Sequence, residues 1–117
     1  MNIVDYNTAL AACGSNPTTV LEPDVLLVKN RYSVCLTYSN MPLVLYRSDG
    51  RIIIYEDAEC GTVTAKNKLN KYTPDCITVV QVDFKFRVKF YDIDLPFDGT
   101  FFFNPLLKKV YHEKIGL

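Results

Sequence analysis

The chain has no tryptophan, one histidine and no excess charge of either sign. Each shortage excludes something. Thirteen basic residues balance thirteen acidic ones, so no long-range field draws in a polyanion. The one histidine, His112, stands beside Glu113 and Lys114 and reads as a solvated residue rather than a catalytic base. The four cysteines, Cys13, Cys35, Cys60 and Cys76, are scattered, with no C-x-x-C pair and no histidine at ligand spacing. A zinc site needs clustered thiolates or imidazoles, so none is expected, and the thiols read as small reduced hydrophobes. No apolar run reaches the length of a membrane helix, about 18 residues. Met1 to Cys13 lacks a basic start, and Asp5 and Asn7 interrupt it, so it does not read as a signal peptide. There is no P-loop, no G-x-G-x-x-G and no H-E-x-x-H. The expectation is a non-enzymatic cytoplasmic protein with no metal, no cofactor and no membrane association.

What remains can fold. Apolar residues make up 49% of 117, enough for the core of one domain and too much for a disordered chain. Eight Tyr and seven Phe favour strands, because aromatics suit a pleated, half-buried surface.

Asp5 to Cys13 predicts a short helix, capped by Asp5 or Asn7 and ended by Gly14. Residues 15–18 are a polar break. Val25 to Val28 reads as a strand. Tyr32, Val34, Leu36 and Tyr38 alternate with Arg31, Ser33, Cys35 and Thr37, the period of a half-buried strand. Leu43 to Tyr46 and Ile52 to Tyr55 flank Asp49-Gly50, a hairpin signal. Thr62 to Tyr72 contains no Gly or Pro after Gly61 and spaces Ala65, Leu69 and Tyr72 along one helical face, with Pro74 as the stop.

Cys76 to Val80 predicts a strand. Val82 to Phe90 predicts another, about 30 Å long, with Val82, Phe84, Phe86, Val88 and Phe90 on one side. Asp92 to Thr100 reads as a loop, in which the spacing of Asp92 and Asp94 suggests only a polar surface. Phe101 to Phe103 returns as a strand. Leu106, Leu107, Val110, Tyr111, Lys114 and Ile115 predict a short helix face or a clamp on the core.

The expected architecture is a single α+β domain over residues 1–117. It holds an antiparallel sheet of about five to seven strands, one inserted helix and short terminal helices. Residues 1–17 are the N-terminal helix and linker, 18–104 the sheet core and 105–117 a tail.

Charge is uneven: residues 1–60 are net −3 and residues 61–117 net +3. The cations gather on two predicted surfaces, the helix face with Lys66, Lys68 and Lys71 and the strand face with Lys85, Arg87 and Lys89. If a nucleic acid or nucleotide is the ligand, the candidate binding residues are Lys85, Arg87 and Lys89, aided by Lys66 or Lys71. The alternative, protein-binding surface is the acidic run Glu56, Asp57 and Glu59, with Tyr111 in the tail.

From Val25 to Phe103 the order of short motifs resembles a group of short, uncharacterised accessory proteins of tailed bacteriophages. V-K-N-R-Y at Val28–Tyr32, Leu43-Val44, Asp49-Gly50 and Ile52–Ile54 come first. T-V-T-A-K-N-K-L-N at Thr62–Asn70, Val80-Gln81 and P-F-D-G at Pro96–Gly99 follow. Ala58, Glu59, Cys60 and Gly61 stand where that group has Gly-Gly, an aromatic and Arg; Ala65 replaces a Thr and Lys68 an Arg. The resemblance implies a protein expressed in the host cytoplasm that binds a host protein or protein complex. Inhibition of a host defence system such as CRISPR is one such role. Either a monomer or a homodimer fits.

Overall fold

Helix α1 (Tyr6–Cys13) begins where a capping oxygen is available. The Asp5 carboxylate accepts from the Thr8 N–H at 2.9 Å, and the Thr8 hydroxyl accepts from the Asp5 N–H at 3.1 Å. These reciprocal bonds satisfy two of the four unpaired donors of the first turn. Gly14 ends the helix with φ 57°, its N–H donating to the Leu10 carbonyl. Ala9 and Cys13, one turn apart, are both buried. The structure is a computed structural model and describes residues 2–55, 63–83, 85–97 and 99–112.

Strands follow: β1 (Thr18–Glu22), β2 (Val25–Lys29), β3 (Ser33–Tyr38), β4 (Met41–Arg47) and β5 (Ile52–Ile54). Helix α2 (Val63–Lys71) is inserted next. The chain closes with β6 (Ile77–Val82), β7 (Lys85–Phe90), β8 (Ile93–Pro96), β9 (Phe101–Asn104) and β10 (Lys109–His112). Two antiparallel sheets result, one of seven strands in the order β1-β2-β3-β4-β5-β9-β10 and one of three, β6-β7-β8. The fold is α+β and sheet-rich, as expected; the division into two sheets was not legible in the sequence.

Four expectations are corrected. The nine-residue strand from Val82 to Phe90 is instead the end of β6 and all of β7. Val82 pairs with Lys85 and the chain reverses between them, with Asp83 at φ 51°. Asp tolerates this left-handed region better than most residues. The reversal puts Val82, 48% exposed, on the outward face beside Lys85 rather than with Phe86, Val88 and Phe90. The expected loop from Asp92 to Thr100 contains β8, paired along β7. Of the tail, residues 109–112 form β10 rather than a helix face, because Phe101–Asn104 offers a strand to pair with. Leu106 and Leu107 are exposed in the turn between them. Finally, β1 fills residues 18–22, where no strand was expected.

The core lies between the inner face of the seven-stranded sheet and the two helices with the smaller sheet. Leu27, Leu36, Val44, Ile54 and Phe101 form one buried row across neighbouring strands, and Val34, Tyr46, Ile52, Phe103 and Val110 another. Phe90 of β7 reaches Phe103 with ring centroids 4.9 Å apart, joining the sheets. Ala65, Leu69 and Tyr72 of the α2 segment are buried, as their spacing predicts.

Candidate functional site

Three basic residues of the chain's second half, Lys68, Lys71 and Arg87, are engaged with carboxylates among the described residues. Glu22, at the end of β1, accepts from Lys68 and from the Tyr72 hydroxyl, and from Lys71 at 3.2 Å. Lys68 and Tyr72 hold its carboxyl down to about 2, against an ordinary 4.5. Tyr72 is pushed up, first by desolvation and then by the Glu22 carboxylate. Two of the three lysines of the expected helix face therefore serve as a clasp between α2 and β1. Sequence reasoning missed Glu22, because 46 residues separate it from Lys68 and no local pattern marks it.

On β7, Lys85, Arg87 and Lys89 do share the outward side, as their alternation predicts. Arg87 donates to the Asp94 carboxylate on β8 at 2.6 Å, and Lys89 is the cross-strand neighbour of the same Asp94. Lys85 and Lys89 remain exposed, and Lys66 is half-buried on α2. The structure thus gives the expected cationic row an acidic neighbour along β8. Glu56, Asp57 and Glu59 lie outside the described residues, as does Cys60.

Tyr111 has a more informative setting. It belongs to β10 and points away from the core, 50% exposed. The register places it at the end of a row that crosses all seven strands: Thr18, Val28, Cys35, Leu45, Ile53, Phe102 and Tyr111. At about 4.8 Å per strand this row is roughly 29 Å long. It lies on the outer face of the large sheet. Among the described residues, the core that joins both helices and the small sheet lies on the opposite face.

An outward strand face ordinarily alternates to polar residues. Here Val28, Cys35, Leu45 and Phe102 are half-buried and Ile53 is 6% exposed. The next positions on β1 and β2, Val20 and Leu26, extend the apolar area, and Val20 is 67% exposed. Ser33, Arg47 and Arg51 border the opposite side, with Asp49 bridging Arg47 at 3.2 Å. Burial raises the Cys35 thiol above its ordinary range, which makes it a packing group rather than a nucleophile. Cys13 and Cys76 are also free thiols.

Two hollows flank Tyr111. One, about 270 Å³, is lined by Arg51, Phe102, Phe103, Asn104 and Tyr111. The other, about 520 Å³, is lined by Ile93 and Leu95 of β8 and by residues 108–111. Neither contains a carboxylate, thiol or imidazole among these lining residues, so they offer shape and apolar contact rather than acid–base chemistry. Among the described residues no group of three His, Cys, Asp or Glu side chains could hold a metal ion, and no helix is long and apolar enough to cross a membrane. No family model, curated protein or solved structure matches this chain.

Proposed function

We propose that this chain acts by non-enzymatic binding of another protein, through the outer face of its seven-stranded sheet. The observation that carries this reading is the apolar row from Val28 to Tyr111, on the side of the sheet away from the core. Contiguous apolar surface rimmed by polar residues is what protein contact sites present. The tailed-phage resemblance makes the partner a host protein or complex, and interference with a host defence system such as CRISPR the role. Of the two surfaces weighed from sequence, Tyr111 belongs to this face. The nucleic-acid alternative rests on Lys66, Lys85 and Lys89, but Arg87, Lys68 and Lys71 are already paired with Asp94 and Glu22.

The test is capture from host lysate by tagged protein, with nuclease and at raised salt, comparing the native chain with Leu45→Lys and with Arg87→Glu/Lys89→Glu. Leu45 is half-buried, so a lysine there can extend its amine to water and leave the fold intact. The expected result is one protein retained through nuclease and salt, lost with Leu45→Lys and kept by the double reversal. Capture that nuclease abolishes, or that fails only in the double reversal, would overturn the reading in favour of phosphate contacts.

A further inference from the structure

Strand β10 lies at the edge of the large sheet. Among the described residues it pairs with β9 and with no other strand. Its side chains alternate, Val110 toward the core and Tyr111 outward. The 520 Å³ groove runs along its edge, lined by residues 108–111 from both of its sides and, from β8, by Ile93 and Leu95. Among the described residues β8 in turn pairs only with β7. Two strand edges, one from each sheet, therefore border one apolar groove.

We infer that the β10 edge is a strand-addition site, and that its occupant is an extended segment of the protein partner in which apolar and acidic residues alternate. This rests on the protein-binding reading above and specifies how the partner is held. An added strand satisfies backbone N–H and C=O groups on the edge, while its alternate side chains fall on opposite faces. One set enters the groove against Ile93, Leu95 and Val110. The other set passes Tyr111 on the outer face. Four residues, Lys109–His112, span about 13 Å, enough to register a four-residue segment.

The other edges are guarded in ways β10 is not. On β6 the Asn70 side chain takes both backbone groups of Val79, at 2.7 and 2.8 Å. β1 has an irregular register between Val20 and Glu22 and sits between Pro17 and Pro23. β8 ends at Pro96, which has no N–H to offer. β10 contains no proline and a regular register over all four residues.

Charge selects the occupant. Lys108 and Lys109 line the groove, whereas Arg51, beside Tyr111 in the outer hollow, already faces the Asp49 carboxylate at 3.8 Å. Neither lysine has an ion-pair partner among the described residues. A second copy would bring two more lysines to a seam that already holds two, whereas lysine on an edge strand opposes self-pairing. An acidic segment meets these cations with opposite charge.

The probe is a labelled Val-Glu-Val-Glu-Val-Glu peptide, with Val-Lys-Val-Lys-Val-Lys as the charge control. Titration is followed by fluorescence anisotropy, and amide hydrogen exchange is read residue by residue. The acidic peptide should bind saturably, at least about tenfold tighter than the lysine peptide. It should slow exchange within Lys109–His112 and leave β1 amides unchanged. Lys108→Glu/Lys109→Glu, at exposed positions, should weaken the acidic peptide about tenfold or more and favour the control.

Equal binding of both peptides, or binding without slowed exchange in β10, would overturn the inference. So would a concentration-dependent dimer that protects the same amides without peptide, which assigns the edge to a second copy. Binding that appears only after residues 113–117 are removed would overturn it too, by assigning the edge to the chain's own C-terminus. If the peptide fails while lysate capture still depends on Leu45, strand addition falls and the protein-binding reading stands. If capture fails as well, both fall.

Discussion

Glu22 shows how much one side chain can decide. Its carboxylate gathers Lys68, Lys71 and the Tyr72 hydroxyl, all from the α2 segment, onto the edge strand of the large sheet. Tyr46, buried in β4, donates to the Tyr72 carbonyl at 2.5 Å and fixes the same corner from the core side. Glu22→Gln keeps the shape and removes the charge. It should cost about 1.5–3 kcal/mol at neutral pH, the range for hydrogen bonds to a charged group. The native carboxyl titrates near 2 and its unfolded counterpart near 4.5, so the clasp contributes fully above the unfolded value. That contribution is lost as pH falls from about 4.5 toward 2, because the unfolded chain takes up the proton first. Urea unfolding of both proteins across this acid range should show their stabilities converging. A constant difference down to the lowest pH would show that the charge of Glu22 is not what holds α2.

At the level of elements, most of the local reading was legible. The Asp5 cap, the Gly14 stop, the Asp49-Gly50 hairpin and the 65, 69, 72 spacing of α2 are short-range patterns with short-range causes. What α2 docks against was not legible. Asn70 reads as a solvated helix residue, yet its amide completes the edge of β6 by donating to the Val79 carbonyl and accepting from the Val79 N–H. Asn70→Ala should cost about 1–2 kcal/mol, since water can replace part of what is lost. Hydrogen exchange at Val79 should accelerate while exchange in β3 and β4 does not. The exposed β6 edge should also raise the tendency to associate, visible by light scattering.

For the molecule as a whole, the contact of Phe90 with Phe103 joins the two sheets. Phe90 is fully buried against Phe103, and Phe101 stacks on Phe103 with centroids 5.9 Å apart. Phe86 lies on the same side of β7 but only half-buried, near the turn that joins β6 to β7. Phe90→Ala should therefore cost about 3–5 kcal/mol, and Phe86→Ala roughly half of that. Equal losses in chemical denaturation would mean that the small sheet packs as a uniform layer. The chain's 13.4 Å radius of gyration and 41 × 30 × 24 Å extents suit a flat molecule with one broad sheet face. That face is where the row from Val28 to Tyr111 lies.

By itself the sequence determined the class of the fold, both ends of α1, most of the strands and the alternation within β7. These follow from neighbours at spacings of two to four residues, which backbone geometry enforces locally. Only the tertiary structure decided the rest. The reversal at Asp83 split an uninterrupted alternation into two strands, because a tight turn can interrupt a pattern without a Gly or Pro to mark it. The pairing of β9 with both β5 and β10 turned a tail into an edge strand. The outer row exists only once seven strands stand in register: its members come from seven separate segments, and each looks unremarkable where it occurs in the chain. The same holds for Lys68, Lys71 and Arg87, which Glu22 and Asp94 engage. Local pattern sets which side of a strand a residue takes, and long-range pairing sets what it meets there.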